Sequence, residues 1–408
     1  MADGSLSVTA KYGRKREAIL AAATEILNRE GVKGMTLAKV AQKVGLITTS
    51  VTYYFKKKEE LAAAVFLKGI ERIAAVVAEA AQRPKPSARL FALLDLYLAM
   101  KRRIREAAEP AIPIFSDIRA LTSDYQGPVL GAYLDLFRDV RALLSEGGRR
   151  GKAPGTAFTQ MVLEQLHWLP AWAHRYEVDE FPMIRDRMHD ILMHGLAPAG
   201  AAWDPRAIDP AAIAPAVEAG GRQREDFLLA ATRLINQQGY RGASVDKISA
   251  SLNLTKGSFY HHHNAKDDVV VSCFHRSFQV VRNVQDAALA LAGADAWTRL
   301  ASAAAALMEF QLSPRGPLLR ASALSALPEG MRAGMVGISD QLSARWAQMI
   351  SDGVAEGSVR PVDPFIAAQM FNAGLNAAAD LPVLLGVVSA RELVDLYARP
   401  MLTGLGSD

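Results

Sequence analysis

Two stretches of this chain share one pattern, and they decide the fold. The first, "RKREAILAAATEILNREGVKGMTLAKVAQKVGLITTSVTYYFKKKEEL", occupies residues 14–61, and the second, "RQREDFLLAATRLINQQGYRGASVDKISASLNLTKGSFYHHHNAKDDV", occupies residues 222–269. They align without a gap and have 14 identical residues in 48 positions. Chance is a poor explanation for this agreement, so we interpret the chain as a tandem repeat before considering any other feature.

Each copy begins with a predicted amphipathic helix. Its apolar residues recur at i, i+3, i+4 and i+7, which is the spacing of one buried helical face. They are Ile19, Ala22, Ala23, Ile26 and Leu27 in the first copy and Phe227, Ala230, Ala231, Leu234 and Ile235 in the second. Gly31 and Gly239 follow, and a glycine at that place predicts the end of the helix.

A helix-turn-helix is predicted after this first helix. Thr36 and Ser244 are suited to cap a second helix, because their hydroxyl groups can accept from its free N–H groups. A tight turn follows at "VGL" or "LNL", and a third helix of about two turns begins at Thr48 or Thr255. Two short helices joined in this way place the second one in the major groove of DNA.

The basic residues are concentrated in the two copies. Residues 11–58 carry 11 Lys and Arg with 3 acids, and residues 222–266 carry 7 with 3, which gives charges of +8 and +4. Because the whole chain has a net charge of +5, the remainder carries −7. A positive excess at two matched places indicates contact with phosphates. The run "KRRIR" at 101–105 lies beside Glu106 and Glu109 and is instead interpreted as a solvated helix face.

Length and composition limit the class of protein. The 408 residues suit two or more domains, and 50% of them are hydrophobic, which is enough for sizeable cores. The single cysteine, Cys273, excludes an intramolecular disulfide and cysteine-based zinc or iron–sulfur centres, and is interpreted as buried filler. The N-terminal segment has no apolar secretory core, and "LPVLLGVV" is far shorter than the ~18 residues that span a bilayer. We therefore expect a soluble cytoplasmic protein with no membrane partner.

Three consecutive histidines, His261, His262 and His263, raise the question of a metal site. Successive residues of a helix point about 100° apart, so the three rings fan around the axis. The i, i+4 pairing that lets two side chains share one ion is missing, since Lys266 follows His262 by four positions. We expect no metal and no other cofactor.

The sequence is similar to the tetracycline-repressor (TetR) family of bacterial one-component regulators. The resemblance is carried by "EGVKGMT" and "QGYRGAS" at the end of the first helix, and by "GLITTSVTYYFKKKEEL" and "NLTKGSFYHHHNAKDDV" after it. It implies an all-α fold of two units, each with a DNA-binding module followed by a helical ligand-binding and dimerisation bundle. It also implies repression relieved by a small molecule. The usual plan has one module per chain and a homodimer, and two copies in one chain depart from it.

The repeat and the resemblance together predict five segments. They are module 1 at 11–58, regulatory domain 1 at 59–196, a linker at 197–221, module 2 at 222–266 and regulatory domain 2 at 267–408. The linker is rich in Pro, Ala and Gly, and a short docked piece is expected around Trp203.

The resemblance assigns DNA contacts residue by residue. Phosphate contacts at the starts of the second and fourth helices match Thr36, Ser244, Lys58 and Lys266. The start of the recognition helix, which faces base edges, matches Thr48, Thr49 and Ser50 in the first copy and Lys256, Gly257 and Ser258 in the second. Its aromatic end, whose ring OH and NH groups touch backbone phosphates, matches Tyr53, Tyr54, Tyr260, His261 and His262. Such phosphate contacts set register and carry no sequence information.

The two modules are not equivalent. Thr52 stands where the second copy and most relatives have tyrosine, and His263 stands where Phe55 supplies an apolar ring in the first copy. The second module also has half the basic excess of the first. Because the recognition helices differ at nearly every base-facing position, we expect them not to read the same half-site.

An effector pocket is expected inside each bundle. The candidate lining residues are Met161, His167, Trp168 and Trp172 in the first bundle and Met308, Phe310, Trp346, Met349, Phe371 and Asn372 in the second. Taken singly, each of them is better explained as an ordinary core residue. The sequence has no dense group of carboxylate, His or Arg residues in either bundle, which favours an apolar or aromatic effector.

The leading hypothesis is a DNA-binding transcriptional regulator, a repressor in which one chain mimics a dimer. Its partners are double-stranded operator DNA and a small-molecule effector. A homodimer of the fused chain, with four modules, is the alternative within DNA binding. A ligand-binding or protein-interaction scaffold with degenerate DNA modules is the alternative in another class. The chain has no G-x-S-x-G elbow, H-E-x-x-H motif or P-loop, so we expect no enzyme.

Overall fold

The computed structural model describes residues 3–145, 151–215, 222–251, 266–327, 329–378, 381–386 and 389–406. Helices and their connections make up all of these ranges, and none of them contains a β-strand. The all-α prediction is confirmed. No helix in these ranges is long and apolar enough to span a membrane.

The first half of the chain begins with a module of three helices and continues into a bundle of five. The module contains α1 (Asp3–Gly34), α2 (Leu37–Lys43) and α3 (Thr48–Tyr54). The bundle contains α4 (Lys58–Ala80), α5 (Pro86–Arg105), α6 (Ser123–Leu143), α7 (Lys152–Trp172) and α8 (Phe181–His194). A short 3-10 helix, Phe115–Ala120, lies in the connection between α5 and α6.

The second half repeats this order. After a short linker helix, α9 (Pro210–Ile213), the described part of the module contains α10 (Arg222–Gly242) and α11 (Val245–Ser251). The bundle contains α12 (Lys266–Leu289), α13 (Ala296–Leu312), α14 (Glu329–Glu356), α15 (Pro364–Ala377) and α16 (Leu381–Leu385). A 3-10 helix, Ala321–Ala326, again lies between the second and third bundle helices. The last described helices are α17 (Ala390–Leu393), a π-helical turn (Val394–Ala398) and α18 (Arg399–Thr403).

The first helix of each module changes direction at a glycine. Gly31 has a φ of +65° and Gly239 has a φ of +72°. A Cβ atom makes this left-handed backbone unfavourable, so glycine is the residue suited to the place. Only one short turn follows each glycine before the next helix. The prediction that the two glycines end the regular part of the first helix is confirmed.

The second helix of each module begins at the predicted cap. The Thr36 hydroxyl accepts a hydrogen bond from the Lys39 N–H, and the Ser244 hydroxyl accepts one from the Lys247 N–H, both at 3.2 Å. Each cap satisfies one of the N–H groups that the start of a helix leaves unpaired. The two modules therefore repeat each other in hydrogen bonding as well as in sequence.

The two halves pack against each other through the last helices of their bundles. α7 and α8 of the first half contact α15, and α7 also contacts the π-helical turn. Gln165 donates from Nε2 to the Met370 carbonyl at 2.9 Å, and Trp168 donates from Nε1 to Gln369 Oε1 at 3.3 Å. One hydrophobic core runs through the first module and both bundles. The halves are thus joined by a packed interface in addition to the linker.

Two glycines meet where the halves cross. Gly195 follows α8 and Gly404 follows α18, with φ values of +64° and +83°. A Cβ on Gly195 would lie 2.2 Å from the Leu402 carbonyl oxygen, and one on Gly404 would lie 2.4 Å from the Met193 carbonyl oxygen. The Leu196 N–H donates to the same Leu402 oxygen at 2.7 Å. Backbone meets backbone at this crossing, so both positions require glycine.

The linker lies on the surface of the second half. Trp203 packs edge-to-face on Trp297 with ring centroids 6.1 Å apart, and Trp297 Nε1 donates to a linker carbonyl at 3.0 Å. Asn283 of α12 donates from Nδ2 to the carbonyls of Ile213 and the next residue, both at 3.1 Å. These contacts hold the described part of the linker against the second bundle.

Candidate nucleic-acid interface and effector site

Helix α3 is anchored in the first module and exposes polar residues at its start. Val51 and Phe55 are buried in the module core, which fixes how the helix is rotated about its axis. Thr48 and Thr49 are exposed, and Tyr53 has 68% of its surface exposed. A helix held in this way can present side chains to a DNA groove without losing its own packing.

Three tyrosines cluster at the end of α3. Tyr12, from the early turns of α1, lies 4.6 Å from Tyr54 and 6.1 Å from Tyr53 between ring centroids. Tyr53 and Tyr54 lie 5.4 Å apart, ring edge to ring face. The sequence assigned Tyr53 and Tyr54 to phosphates but missed Tyr12. It precedes the repeated segment, and only the extension of α1 back to Asp3 places it beside α3.

The other side of this end of α3 carries a cation–π contact. The Arg16 guanidinium lies 5.3 Å from the centroid of the Phe55 ring. Thr52, which replaces the tyrosine of the second copy, donates its hydroxyl to the Thr49 carbonyl at 2.9 Å. Its hydroxyl is thus used within the helix, and Tyr53 and Tyr54 supply the phenol groups here.

Two matched lysines hold the first and second helices of their modules together. Lys39 Nζ donates to the carbonyl of the last residue of α1 at 3.1 Å and pairs with Glu30 at 2.5 Å. Lys247 Nζ donates to the carbonyl of the last residue of α10 at 3.2 Å and to Gln238 Oε1 at 2.7 Å. The two copies therefore share a lysine here that joins the second helix of each module to the end of the first. Not every cation in the basic excess is available to phosphate.

Lys58 begins α4 at the junction of module and bundle. Its Nζ lies 3.4 Å from the Lys33 carbonyl, and the Lys56 N–H donates to Glu60 at 2.7 Å. An ammonium group has three donors, so one long contact to a carbonyl leaves capacity for a phosphate oxygen. Lys266 occupies the matching first position of α12.

The second recognition helix lies outside the described residues. The proposed contacts that fall there are Lys256, Gly257, Ser258, Tyr260, His261 and His262, together with the neighbouring His263. Their assignments stay predictions, as do all the others, namely Thr36, Thr48, Thr49, Ser50, Tyr53, Tyr54, Lys58, Ser244 and Lys266.

A polar cluster lies inside the first bundle. Phe115, Tyr133 and His167 surround one another with ring centroids 5.9 to 6.4 Å apart. Glu164 lies one turn before His167 on α7, and Lys101 lies on α5, which precedes Phe115 in the chain. All five side chains are partly exposed. We call this partly exposed cluster of Lys101, Phe115, Tyr133, Glu164 and His167 the recess.

Burial in this recess shifts three pKa values. It raises the pKa of the Glu164 carboxyl to about 7, an effect that Arg320 and Arg119 oppose. Burial and then the nearby Lys101 ammonium lower the pKa of His167 to about 4. Burial lowers the pKa of Lys101 itself to about 8. At neutral pH the recess thus holds a neutral imidazole and a mostly cationic lysine, and the Glu164 carboxyl binds a proton more readily than an exposed carboxyl does.

The other residues expected to line the first pocket lie at the contact between the halves. Trp168 bonds to Gln369 as described, and Trp172 packs against Phe365 with ring centroids 6.4 Å apart. Met161 and Phe371, which were assigned to different bundles, line one small cavity between the halves. Of the four residues predicted to line the first pocket, His167 is the one that lies in the recess.

The residues expected to line the second pocket are packed in its core. Trp346 and Phe371 lie 4.8 Å apart, edge to face, and Asn372 donates to the Ser343 hydroxyl at 3.1 Å. The whole set is buried, namely Met308, Phe310, Trp346, Met349, Phe371 and Asn372. Their role as ligand contacts stays a prediction.

The run at 101–105 divides between two environments. Arg102 and Arg103 are exposed and pair with Glu106 and Glu109, as the interpretation of a solvated face requires. Lys101 differs, because it is only partly exposed and its Nζ lies 5.4 Å from the centroid of the Tyr97 ring. Cys273, on α12, is fully buried and its Sγ lies 3.5 Å from the Leu228 carbonyl. Burial raises the pKa of this thiol to about 12, so it is not a nucleophile at neutral pH.

A comparison with known protein families matches both modules to the same family. The N-terminal model described as "Bacterial regulatory proteins, tetR family" matches residues 19–65 and again residues 227–273. The chain belongs to the tetR family. It carries the family's DNA-binding module twice, in two units, and it is a DNA-binding transcriptional regulator.

Solved structures of tetR-family proteins match the chain one unit at a time. PfmR from Thermus thermophilus is 22% identical, covers 44% of this chain and 98% of its own, and has a TM-score of 0.38. FadR from Bacillus subtilis, solved with stearoyl-CoA, is 16% identical, covers 45% of this chain and 100% of its own, and has a TM-score of 0.37. AibR, solved with isovaleryl coenzyme A and operator DNA, is 21% identical, covers 45% and 98%, and has a TM-score of 0.35. A comparison with curated protein sequences gives no significant match.

Proposed function

We propose that this tetR-family protein is a repressor in which the two halves of one chain replace the two subunits of a dimer. The observation that carries the proposal is the reciprocal packing of α7 and α8 on α15 and the C-terminal turns. The matched glycines Gly195 and Gly404 cross at its centre. Each half thus offers the other the same pair of helices, as the two subunits of a symmetric dimer do.

The DNA contacts proposed for the first module are consistent with its geometry. Thr48, Thr49 and Ser50 start the anchored helix and face bases. Tyr53 and Tyr54 with Lys58 contact phosphates, and Thr36 can still donate its hydroxyl proton while its oxygen caps α2. The matching residues of the second module, from Ser244 to Lys266, are proposed for the same roles.

The operator proposed for this arrangement has two unlike half-sites. Both recognition helices enter successive major grooves on one face only when they lie about 34–36 Å apart. Because the helices carry different residues, the half-sites differ in sequence. An effector that binds better to an arrangement with the wrong spacing releases the protein from DNA by shifting the population.

The recess in the first bundle is the proposed effector site, and it changes the expected chemistry of the effector. An apolar effector was expected because the sequence has no dense constellation of ionisable residues. The fold creates one, since Lys101 of α5 acts on His167 of α7, and Arg119 and Arg320 act on Glu164, one turn before His167. We therefore propose an effector with a flat apolar body, which packs among Phe115 and Tyr133, and one anionic group, which Lys101 binds.

Selection of binding sites from a random pool of duplex DNA, with the intact protein and no effector, tests the proposal. Two unlike half-sites at one fixed spacing are expected. A symmetric palindrome would replace the one-chain arrangement with a homodimer in which one module reads DNA. No enrichment even at low salt, where phosphate contacts are strongest, would favour a ligand-binding or interaction scaffold instead.

A further inference from the structure

A matched asparagine fastens each module to the bundle of its own half. Asn28 of α1 donates from Nδ2 to the Ile112 carbonyl and accepts at Oδ1 from the Ile114 N–H, both at 2.9 Å. Asn236 of α10 donates to the Leu318 carbonyl at 2.8 Å and accepts from the Arg320 N–H at 3.1 Å. Both partners lie in the connection that leads into the 3-10 helix. The side-chain amide thus closes the same two-point clamp in each half.

The second module is also held from the other half of the chain. Arg119, on the 3-10 helix of the first half, donates from Nη1 to the Asn236 backbone carbonyl at 3.0 Å. That carbonyl lies three residues before the kink at Gly239, in the last regular turn of α10, where carbonyls lack helical partners and a cation is favoured. The same 3-10 helix packs along α10. Asn236 is therefore bonded twice. Its side chain binds the bundle of its own half, and its backbone carbonyl accepts from Arg119 of the first half.

The sequence gives the first module no counterpart of this arginine. α1 does pack against the 3-10 helix Ala321–Ala326, so the contact between elements is reciprocal. The position that matches Arg119 in that helix is Ser325, so the sequence supplies no guanidinium there. The sequence thus repeats the asparagine in both halves and has an arginine at this position of the 3-10 helix in the first half only.

We propose that Arg119 and Asn236 are positioning residues for DNA binding, which fix the second module against the first half and so set the separation of the two recognition helices. The inference rests on the proposed one-chain arrangement. Neither side chain needs to touch DNA. Loss of either one lets the second module change its position relative to the first, while the half-site each module reads stays the same.

The test compares five variants of the full chain with the wild type: two that remove a contact, two matched controls and one conservative change. Arg119→Met removes the donor and keeps the length of the side chain, and Asn236→Ala opens the clamp. Arg206→Met is the matched control for the first, because Arg206 also donates to a carbonyl, that of Ala292 at 2.8 Å, away from both modules. Asn283→Ala is the control for the second, because its amide also bonds to two carbonyls, on the linker. Thermal unfolding of each variant shows that it folds.

The readout is the spacing of the half-sites selected from a random DNA pool, with affinities measured for the wild-type site and for single half-sites. Both test variants are expected to enrich the same half-sites at several adjacent spacings, and to lose about tenfold in affinity for the wild-type spacing. Their affinity for a single half-site should not change, and both controls should keep one spacing. Arg119→Lys, which keeps a donor and the charge, should restore part of the preference.

Three results would count against the inference, each in a different way. If the wild type selects a fixed pair of half-sites and both test variants keep that spacing, the positioning role is wrong and the one-chain repressor stands. If the wild type selects a palindrome or nothing, the one-chain arrangement fails and the positioning role fails with it. A loss of single half-site affinity equal to the loss for the full site would mark Asn236 as a residue that merely keeps its module folded.

Discussion

At the scale of single residues, Glu164 and His167 give the recess opposite responses to pH. The pKa of Glu164 is raised from 4.5 to about 7, so between these values the folded state holds more protons than the unfolded state and stability falls as pH rises. The pKa of His167 is lowered from 6.5 to about 4, so between these values the unfolded state holds more protons and stability rises with pH. The two slopes cancel between about pH 4.5 and 6.5.

Replacing either Glu164 or His167 should leave only the pH dependence of stability that the other residue causes. In Glu164→Gln, the free energy of unfolding should rise from pH 4.5 to 6.5, and in His167→Gln it should fall over the same range. Each slope is at most about 1.4 kcal/mol per pH unit, which is the value for one proton. Chemical denaturation at a series of pH values measures both. Equal profiles in the two variants would show that the groups do not titrate as assigned.

Gly195 is a second residue that can be tested singly. Comparing its replacement with that of Gly293 separates backbone strain from the close contact between the halves. Gly195→Ala should be strongly destabilising, because its Cβ would lie 2.2 Å from the Leu402 oxygen in addition to the strain of a φ of +64°. Gly293 has the same φ and no atom within 4 Å of its Cβ position, so Gly293→Ala measures the strain alone, about 1–2 kcal/mol. Thermal unfolding should place Gly195→Ala well below Gly293→Ala. Equal melting temperatures would mean that the two halves do not approach at this crossing.

At the scale of secondary-structure elements, two lysines of the first module should behave differently. Lys58 at the start of α4 is proposed to bind a phosphate, so Lys58→Ala should weaken binding to all sequences and reduce the salt slope of log K by about 0.9. Lys39 joins α2 to α1, so Lys39→Ala should lower the melting temperature and leave the salt slope unchanged. Binding measured from low to moderate salt decides between the roles. An unchanged slope in Lys58→Ala would remove it from the interface.

The elements that were predicted well are those with local causes. The turn at Gly31, the cap at Thr36 and the start of α3 at Thr48 each depend on residues within one or two turns, and each is confirmed. The contact of Tyr12 with α3 was not predicted, because nothing in a repeat pattern shows that α1 extends beyond it. The contacts of Lys39 and Lys247 within their modules were not predicted for a related reason, since charge counts do not show which cations have protein partners.

The effector recess and the positioning contacts depend on distant parts of the chain. Lys101 and His167 are 66 positions apart, and Arg119 and Asn236 are 117 apart. Sequence spacing carries no information about such pairs until the bundle helices are packed. The identity of Asn28 and Asn236 was visible in the repeat, but its cause appears only when the connection between the second and third bundle helices lies beside the module.

At the scale of the whole molecule, the interface between α7, α8 and α15 predicts how many chains bind one operator. Both modules already belong to one chain, and the helices that would dimerise are packed against each other within it. We therefore expect a monomer in solution and one chain on each two-half-site operator. DNA binding should show no dependence on a prior association of chains, so the curve should follow a single-site isotherm down to the lowest protein concentration.

Light scattering of the free protein and of its DNA complex measures the stoichiometry. The DNA binding of Gly195→Ala is compared with that of the wild type. A variant with a disturbed interface should bind a single half-site normally and lose affinity for the pair, because its modules are no longer held at one separation. The linker would then act only as a tether, and a broad range of spacings would be bound with similar affinity. Two wild-type chains on one operator would contradict the one-chain arrangement, in which α7, α8 and α15 already pack against each other within one chain.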